Sequence, residues 1–230
     1  MVPGGSGKLA AARHCNGVDS WIMTQRLGTN EFAAFLLTSA GINTVPVVSA
    51  VGFTSQTNYG GQLKFSPDGR KLAVVHGFYG KELFDFDSST GALSNGINLQ
   101  NENGASCEFS ADGSKLYAVG GDFNRIIYQW DACGATASDV TNSMDTAGVC
   151  TATSYAILYM QLGPDEKIYT NHGGQVPALG VINSPEQSGV NCNYNDLGQP
   201  LSPGSSGGGP PGFESHLLRA KFNYTAANSC

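Results

Sequence analysis

Short apolar runs separated by tight polar turns recur along the chain. The segment 61–87 is the clearest case, with three such runs in GQLKFSPDGRKLAVVHGFYGKELFDFD. Apolar and polar residues that alternate over a few positions are typical of β-strands. In the first turn, Pro67 presets the backbone angle of a type I turn, and Gly69 supplies the left-handed residue that closes a hairpin with a bulge. The pattern therefore predicts a three-stranded antiparallel unit.

The same arrangement returns twice, as EFSADGSKLYAVGGDFNRIIYQWD and as QLGPDEKIYTNHGGQVPALGVIN. Asp68 and Asp112 are 44 residues apart, and Asp112 and Asp165 are 53 apart, the excess matching an insertion. Self-similar units of this length with four strands are typical of β-propeller blades, because one small twisted sheet cannot bury both of its faces alone. We predict an all-β chain of about four four-stranded blades. Its equivalent hairpin turns are predicted at 66–69, 110–113 and 163–166.

The pattern also sets approximate boundaries. Strands of the first unit are predicted at 8–17, 19–27, 32–39 and 45–51. The second unit ends with a strand at 92–99, the third loses its outer part in an insertion at 132–153, and the fourth runs from about 155 to about 194. No amphipathic helix longer than two turns is predicted. The domain scheme is a tag-like or disordered start (1–7), propeller blades (8–200), a Gly/Pro/Ser-rich linker (201–212), and a closing strand or frayed tail (213–230).

Composition and charge exclude several classes of protein. Only 13% of the 230 residues are charged, whereas 31 are glycine, as expected for many short strands joined by tight turns. The net charge of −6 provides no basic surface for nucleic acid. No apolar run approaches the roughly 20 residues that span a bilayer. We therefore expect neither a nucleic-acid partner nor a membrane span, and no signal peptide is visible in the first residues.

Six cysteines are present, none of them in a CxxC pair, so a structural zinc site is not predicted. Six cysteines allow 15 pairings, and the sequence cannot choose among them. Cys133 and Cys150 bracket the Thr/Ser/Ala-rich insertion and are the most plausible disulfide. The alternative is a set of buried thiols.

Several phrases resemble a known family: KLAAARHCNG, LKFSPDGRKLAV, LFDFDSSTG, CEFSADGSKLYAV, and LGPDEKIY followed by LGVINSP and NCNY. They are similar to the propeller region of large secreted Bacteroidota proteins associated with PKD domains and type IX secretion. The SPDG phrase is similar to the WD-repeat-like motif of TolB-type propellers. The resemblance implies an extracellular or cell-surface location and places the first phrase in mid-propeller.

The resemblance also implies that this chain is the C-terminal part of a longer ring, for which seven blades is one option, whereas closure into a genuine four-bladed ring is the alternative. In a half-ring, the first blade would expose an apolar face. That face would include some of Trp21, Ile22, Phe32, Phe35 and Leu37.

Propeller enzymes place ligands or carboxylates where the inner strands meet the central channel. The corresponding residues here are Lys64, Glu108 and Gln161, with Ala12 or Arg13 in the first unit. One acid, one base and one amide do not make a Ca²⁺ ligand set, which needs several oxygens. We predict no catalytic residue, no cofactor-binding residue and no metal ligand.

The remaining polar residues have structural interpretations. His14, His76 and His172 could share a site, but solvated or turn-capping roles are favoured; His216 lies near the C-terminus. Cys15 and His14 are adjacent, and neighbours on a strand point to opposite faces, so a nucleophile–base pair is disfavoured.

Acidic and aromatic residues offer two further alternatives. Asp85 and Asp87 suggest a metal site, but an Asx turn at Asp87 is favoured. Trp21 and Trp130 are expected in strand cores, with a sugar or peptide site on an open face as the alternative.

Two functions from different classes follow. The favoured one is a non-catalytic binding or scaffold module of a secreted or cell-surface protein, with a protein or glycan ligand and possible self-association through exposed blade faces. The alternative is a propeller-type hydrolase or lactonase whose active site is completed by further blades.

Overall fold

A computed structural model describes residues 5–54, 61–151 and 156–206, and nearly all of their regular structure is β-strand. Blade 1 contains β1 (Gly5–Arg13), β2 (Ser20–Arg26), β3 (Glu31–Thr38), β4 (Gly41–Ile42) and β5 (Val47–Ala50). Blade 2 contains β6 (Gln62–Phe65), β7 (Lys71–Val75), β8 (Lys81–Asp87) and β9 (Ala92–Gln100). Blade 3 contains β10 (Cys107–Phe109), β11 (Lys115–Gly120), β12 (Ile126–Asp131) and β13 (Asp145–Val149). Blade 4 contains β14 (Ile157–Leu162), β15 (Ile168–His172), β16 (Ala178–Ile182) and β17 (Tyr194–Pro200). One short helix, α1 (Ala137–Asn142), and 3-10 turns at Asp122–Asn124 and Gly189–Cys192 complete the described elements.

The four sheets form a four-blade β-propeller. In blades 2, 3 and 4 the strands pair in chain order, all antiparallel. The innermost strands pack side by side, β1 against β6, β6 against β10, and β10 against β14. Blade 1 has a fifth strand, because β4 and β5 pair with different parts of β3. The predicted fold, an all-β propeller of about four four-stranded blades, is confirmed.

The three predicted turns lie at equivalent positions, each joining the first and second strands of its blade. In each turn the fourth residue donates its backbone N–H to the carbonyl of the first, at 2.8 Å in blade 2, 3.0 Å in blade 3 and 3.1 Å in blade 4. Gly69 and Gly113 take the left-handed conformation at this fourth position, and Glu166 takes it in blade 4. Local turn chemistry therefore set the hairpin register, as the repeat predicted.

Apolar side chains facing one another across neighbouring sheets form the core. One cluster lies between blades 1 and 2, a second between blades 2 and 3, and a third between blades 3 and 4. Trp21 belongs to the first cluster and Trp130 to the second, and both are buried, as expected for strand-core tryptophans. Alternate residues of each strand thus bury each sheet on its neighbour.

Blade 1 is packed on one face only, within the part of the chain that the structure describes. Of the five residues expected on an exposed face, Trp21 and Phe32 are buried against blade 2, whereas Leu37 is 40% exposed. Leu9 and Val48 share that outward face and are 65% and 43% exposed. None of the three core clusters joins blade 4 to blade 1. The extension of this arc into a larger ring stays a prediction.

The insertion in blade 3 has more structure than the sequence indicated. Thr136 caps α1 by accepting the backbone N–H of Asp139 at 3.1 Å, and the Asp139 carboxylate accepts that of Thr136 at 2.9 Å. Val140 of α1 is buried in the core between blades 2 and 3. β13 then completes the sheet. Its sequence, DTAGV, lacks a clear alternation, which is why the outer strand was not predicted.

The predicted disulfide between Cys133 and Cys150 is wrong. Cys133 is disulfide-bonded, but Cys150 is a buried thiol that does not take part in a disulfide. Two residues that flank an insertion can lie close in space without having side chains oriented for a disulfide. The side chain of Cys150 instead packs in the core between blades 3 and 4. Cys15, Cys107 and Cys192 are also thiols.

The structure bears differently on the two predicted end segments, 1–7 and 213–230. β1 already includes Gly5, within the predicted tag-like start, and the predicted closing segment 213–230 lies outside the described residues. In the described ranges, no helix has the length and apolar character needed to cross a bilayer.

Candidate functional site

Two of the three residues predicted at the channel, Lys64 and Glu108, meet, and their contacts tie blades together. Lys64 of β6 and Glu108 of β10 form an ion pair with an N–O distance of 2.8 Å, and both side chains are buried. Glu108 also accepts the backbone N–H of Leu162, at 3.0 Å, which links blade 3 to blade 4. Gln161 donates to the carbonyl of Leu162 at 3.2 Å. The carboxylate and the ammonium that a channel active site could use are therefore engaged with each other.

The two candidates from the first blade have other surroundings. Ala12 is fully buried in the core between blades 1 and 2. Arg13 donates from its guanidinium to the carbonyl of Gly17 at 2.9 Å, within its own turn.

The described histidines lie in separate places. His14 accepts the backbone N–H of Asn16 at 3.0 Å, a turn-capping role as expected. His76 and His172 were expected to be solvated or turn-capping, and this is wrong, because both are buried beside carboxylates. The Nε2 atom of His76 lies 2.7 Å from Glu82, and that of His172 lies 2.9 Å from Asp196. Pairing with an acid across strands compensates the burial of each imidazole, and sequence alone does not reveal such a partner.

The Cys15–His14 pair is closer than strand geometry implied. Its sulfur lies 3.7 Å from Nδ1 of His14. β1 ends at Arg13, so both residues lie in a turn and the alternation of a strand does not apply. The same Nδ1 already accepts the N–H of Asn16, which leaves the imidazole poorly placed to act as a base towards Cys15.

The acidic residues at the end of β8 have the structural roles that were favoured. Asp87 accepts both the backbone N–H and the hydroxyl of Ser89, at 2.8 and 2.6 Å, which confirms the Asx turn. These hydrogen bonds lower the pKa of Asp87. Asp85 binds Lys71 at 2.9 Å and Asn95 at 2.8 Å.

A cleft of about 360 Å³ opens where the inner strands of blades 2, 3 and 4 begin, at the opposite end from the hairpin turns. Side chains of Phe78 and Tyr159 stand at its edge, 68% and 46% exposed. None of the described lining residues carries a charge. The lining comprises Gly61, Gly77, Phe78, Asn103, Gly104, Ala105, Asn124, Leu158 and Tyr159.

Two glycines shape the floor of the cleft. Gly61 and Gly104 precede the inner strands of blades 2 and 3, and each lies against the second strand of its blade. A Cβ at Gly61 would stand 2.1 Å from the carbonyl oxygen of Val75, and one at Gly104 would stand 2.7 Å from that of Val119. Only glycine therefore allows this close approach of backbone to backbone. Blades 2 and 3 therefore shape the floor of the cleft in the same way.

One loop at the cleft holds an unusual backbone. Phe123 and Asn124 both have left-handed conformations, with φ of 57° and 54°. This conformation costs free energy in residues other than glycine and is concentrated at functional sites. It turns Phe123 outward, 81% exposed, and places Asn124 in the cleft wall. The Oδ1 atom of Asn124 is buried and has no hydrogen-bond partner in the part of the chain that the structure describes.

Lys81 supports the part of the cleft wall that contains Asn103. It is 1% exposed and donates to the Asn103 carbonyl at 2.9 Å and to the Gln100 side chain at 3.1 Å. Burial lowers the pKa of Lys81 to about 8, although the negative charge of Glu102 opposes this shift. The sequence predicted none of this cleft. The available signals were the glycines before the inner strands and the apolar residues at loop positions such as Phe78 and Phe123.

Comparisons with known proteins support the propeller fold and do not identify a function. No family model matches the chain, and no curated protein does. Among solved structures, a proposed 6-phosphogluconolactonase from Bacteroides uniformis is similar, with a TM-score of 0.53 and 15% identity over 84% of this chain and 56% of that one. Hydrazine synthase from Kuenenia stuttgartiensis aligns with a TM-score of 0.47 and 14% identity over 75% of this chain and 50% of that one, too weakly to carry an argument. The chain thus spans about half the length of these structures, and the first comparison supports the propeller fold alone.

Proposed function

We propose that this chain is a non-catalytic binding module of a secreted or cell-surface protein, and that its cleft binds a neutral carbohydrate. The observation that carries the proposal is the cleft itself, whose described lining is uncharged and combines exposed aromatic rings with the side-chain amides of Asn103 and Asn124. Binding sites are typically concave, apolar and supplied with a few placed polar groups.

The chemistry of the lining selects the ligand class. A sugar ring has an apolar C–H face, which can pack on the rings of Phe78 and Tyr159, and an edge of hydroxyl donors. The side-chain amide of Asn124 in the cleft wall offers hydrogen-bonding groups to such an edge. An anionic ligand would need a cation, and the nearest buried one, Lys81, is already hydrogen-bonded to Gln100 and Asn103.

The proposed location rests on separate observations. A disulfide at Cys133 supports an oxidising compartment, where such bonds persist. Similarity of the SPDG-containing phrases to propellers of secreted Bacteroidota proteins supports the same location, and membership of that group is part of the proposal.

A panel of neutral hexasaccharides of glucose, mannose, xylose or N-acetylglucosamine tests the binding function by calorimetric titration. We expect one or more members to bind, and Phe78→Ala or Tyr159→Ala to weaken that binding roughly tenfold, as loss of a central aromatic contact does. Leu197→Ala is the control, because Leu197 is 41% exposed on the outermost strand of blade 4 and does not line the cleft. Equal affinity in all three variants would contradict the proposed site.

A lactonase is the second candidate, because the similar structure from Bacteroides uniformis is named as one. In that case Lys64 or Glu108 would have to leave the ion pair in order to act on a substrate. The test is hydrolysis of 6-phosphogluconolactone and of gluconolactone, compared with the spontaneous rate. Turnover by the wild-type chain that is abolished in Glu108→Gln would favour the lactonase. Rates equal to the spontaneous ones would reject it.

A further inference from the structure

Three potential metal ligands from two blades meet at the outer part of the interface between blades 3 and 4. They are the thiol of Cys150, the imidazole of His172 and the carboxylate of Asp196, and their ligand atoms all lie within 4.8 Å of one another. They come from separate parts of the chain: Cys150 directly follows β13, His172 ends β15, and Asp196 lies in β17. The blade 4 sheet holds His172 and Asp196, and the packing of β13 against β17 brings Cys150 to them.

The site is built and buried. Cys150 and His172 are fully buried, and the side chain of Asp196 is 11% exposed. The backbone of Cys150 is fixed on both sides by Arg125, whose carbonyl accepts its N–H at 2.8 Å and whose guanidinium donates to its carbonyl at 2.8 and 3.1 Å. Asp196 is held by the hydroxyl of Tyr194 at 2.8 Å and by the backbone N–H of Thr151 at 2.9 Å.

Hydrogen bonding satisfies only part of this cluster. His172 uses Nε2 towards Asp196, but its Nδ1 is buried and has no hydrogen-bond partner among the described residues. The two ring nitrogens point to opposite sides, so an ion that Asp196 also binds would take Nε2 in place of the present hydrogen bond. The proton of the neutral ring would then lie on Nδ1.

We propose that Cys150, His172 and Asp196 bind Zn²⁺ and thereby clamp blade 3 to blade 4. A thiolate, an imidazole and a carboxylate are the ligand types that Zn²⁺ takes, and the soft sulfur disfavours Mg²⁺ and Ca²⁺. With bond lengths of about 2.0–2.3 Å, tetrahedral ligands lie roughly 3.3–3.8 Å apart, so the observed cluster needs only a small adjustment. One thiolate and one carboxylate also neutralise a divalent cation, which makes its burial feasible.

A hydrolytic Cys–His–Asp triad would use the same three residue types, but the structure favours the metal. A nucleophilic thiol has to reach its substrate, and Cys150 is fully buried. A metal ion needs no such access once it is bound.

The experiment uses the full chain, stripped of metal and kept in degassed buffer without thiol reductant so that the disulfide of Cys133 survives. We expect about one Zn²⁺ per chain after equilibration and dialysis. Co²⁺ in place of Zn²⁺ should give a near-ultraviolet charge-transfer band from the thiolate. At a free Zn²⁺ concentration of 100 times the Kd, the Tm should rise by roughly 5–10 °C.

Matched variants separate the proposed site from the other thiols and histidines. Cys150→Ser, which changes the side-chain volume little, and His172→Gln should each lose the metal, the band and the Tm shift. Cys107→Ser replaces another fully buried thiol, and His76→Gln replaces another buried histidine paired with an acid. Both variants should keep the bound metal, the Co²⁺ band and the Tm shift.

The Co²⁺ spectrum of the wild-type chain does not depend on whether any variant folds. Absence of the band there would overturn the proposal. So would wild-type stoichiometry in Cys150→Ser, or equal loss of metal in Cys107→Ser.

Discussion

At the scale of single residues, buried charges hold neighbouring blades in register. Lys64 and Glu108 make the clearest case, because each comes from a different inner strand and both are buried. The sequence predicted these two residues at equivalent positions of neighbouring inner strands, and in the structure they lie side by side. It could not show that they pair, because that depends on how far one blade is rotated against the next.

The ion pair leads to a stability prediction. Lys64→Met should lower the free energy of unfolding by about 3–5 kcal/mol, because it leaves the carboxylate of Glu108 buried without its counter-ion. Urea unfolding measures the loss. The double variant Lys64→Met/Glu108→Gln should recover most of it, since the amide oxygen can still accept the N–H of Leu162. A double variant less stable than the single one would contradict this account.

Lys81 leads to a pH prediction. Its pKa is lowered by burial to about 8, from an unfolded value of 10.5. Below pH 8 both states are protonated and the cost of burying the charge is complete. Between pH 8 and 10.5 only the folded state loses the proton, so stability rises with pH, by at most about 3 kcal/mol.

Burial also lowers the pKa of Lys8 to about 8, so the effect of Lys81 has to be isolated by comparison with Lys81→Met. The wild-type chain should gain stability relative to this variant as the pH is raised from 8 to 10.5, measured by urea unfolding. If the difference in free energy of unfolding between the two chains stayed constant over this pH range, Lys81 would not be buried as a cation.

At the scale of elements, hairpins were predictable and outer strands were not. The turn at 66–69 depends on residues adjacent in sequence, with Asp68 accepting the hydroxyl of Ser66 at 2.5 Å and the backbone N–H of Arg70 at 3.1 Å. β13 depends on its neighbour β12 for its conformation, and nothing in its own sequence indicates a strand. The pairs His76–Glu82 and His172–Asp196 were missed because their partners lie on other strands.

The blade 4 turn tests the equivalence of the hairpins. Glu166 holds the left-handed position, with φ of 65°, that Gly113 holds in blade 3 with φ of 76°. Glu166→Gly should therefore raise the free energy of unfolding by about 0.5–1 kcal/mol, because glycine adopts this conformation without strain. The reciprocal change, Gly113→Glu, should lower it by about 1–2 kcal/mol, because a Cβ there meets nothing closer than 3.8 Å and the effect is one of backbone alone. Thermal unfolding of both variants checks the pair, and a stabilised Gly113→Glu chain would contradict it.

At the scale of the whole molecule, the outward face of blade 1 leads to a prediction about association. Leu9, Leu37 and Val48 are exposed on one sheet face, and contiguous apolar surface of this kind commonly marks a contact site. We expect the chain to form dimers or larger species at micromolar concentration in sedimentation velocity. Leu9→Lys/Leu37→Lys should shift it towards monomer.

Val18→Lys is the control, since Val18 is 80% exposed but lies in the turn after β1. A wild-type chain that sediments as a stable monomer would show that this face needs no partner.

The cleft gathers residues from blades 2, 3 and 4, and we propose that it binds a neutral sugar. The most direct measurement is a nuclear magnetic resonance titration of the isotope-labelled chain with the same panel of neutral hexasaccharides. We predict that one or more members shift the backbone amide signals of 77–80, 103–105 and 121–124, and leave those of the hairpin turns at 66–69 and 110–113 unchanged. No shift at millimolar sugar, or shifts confined to the hairpin turns, would contradict the account.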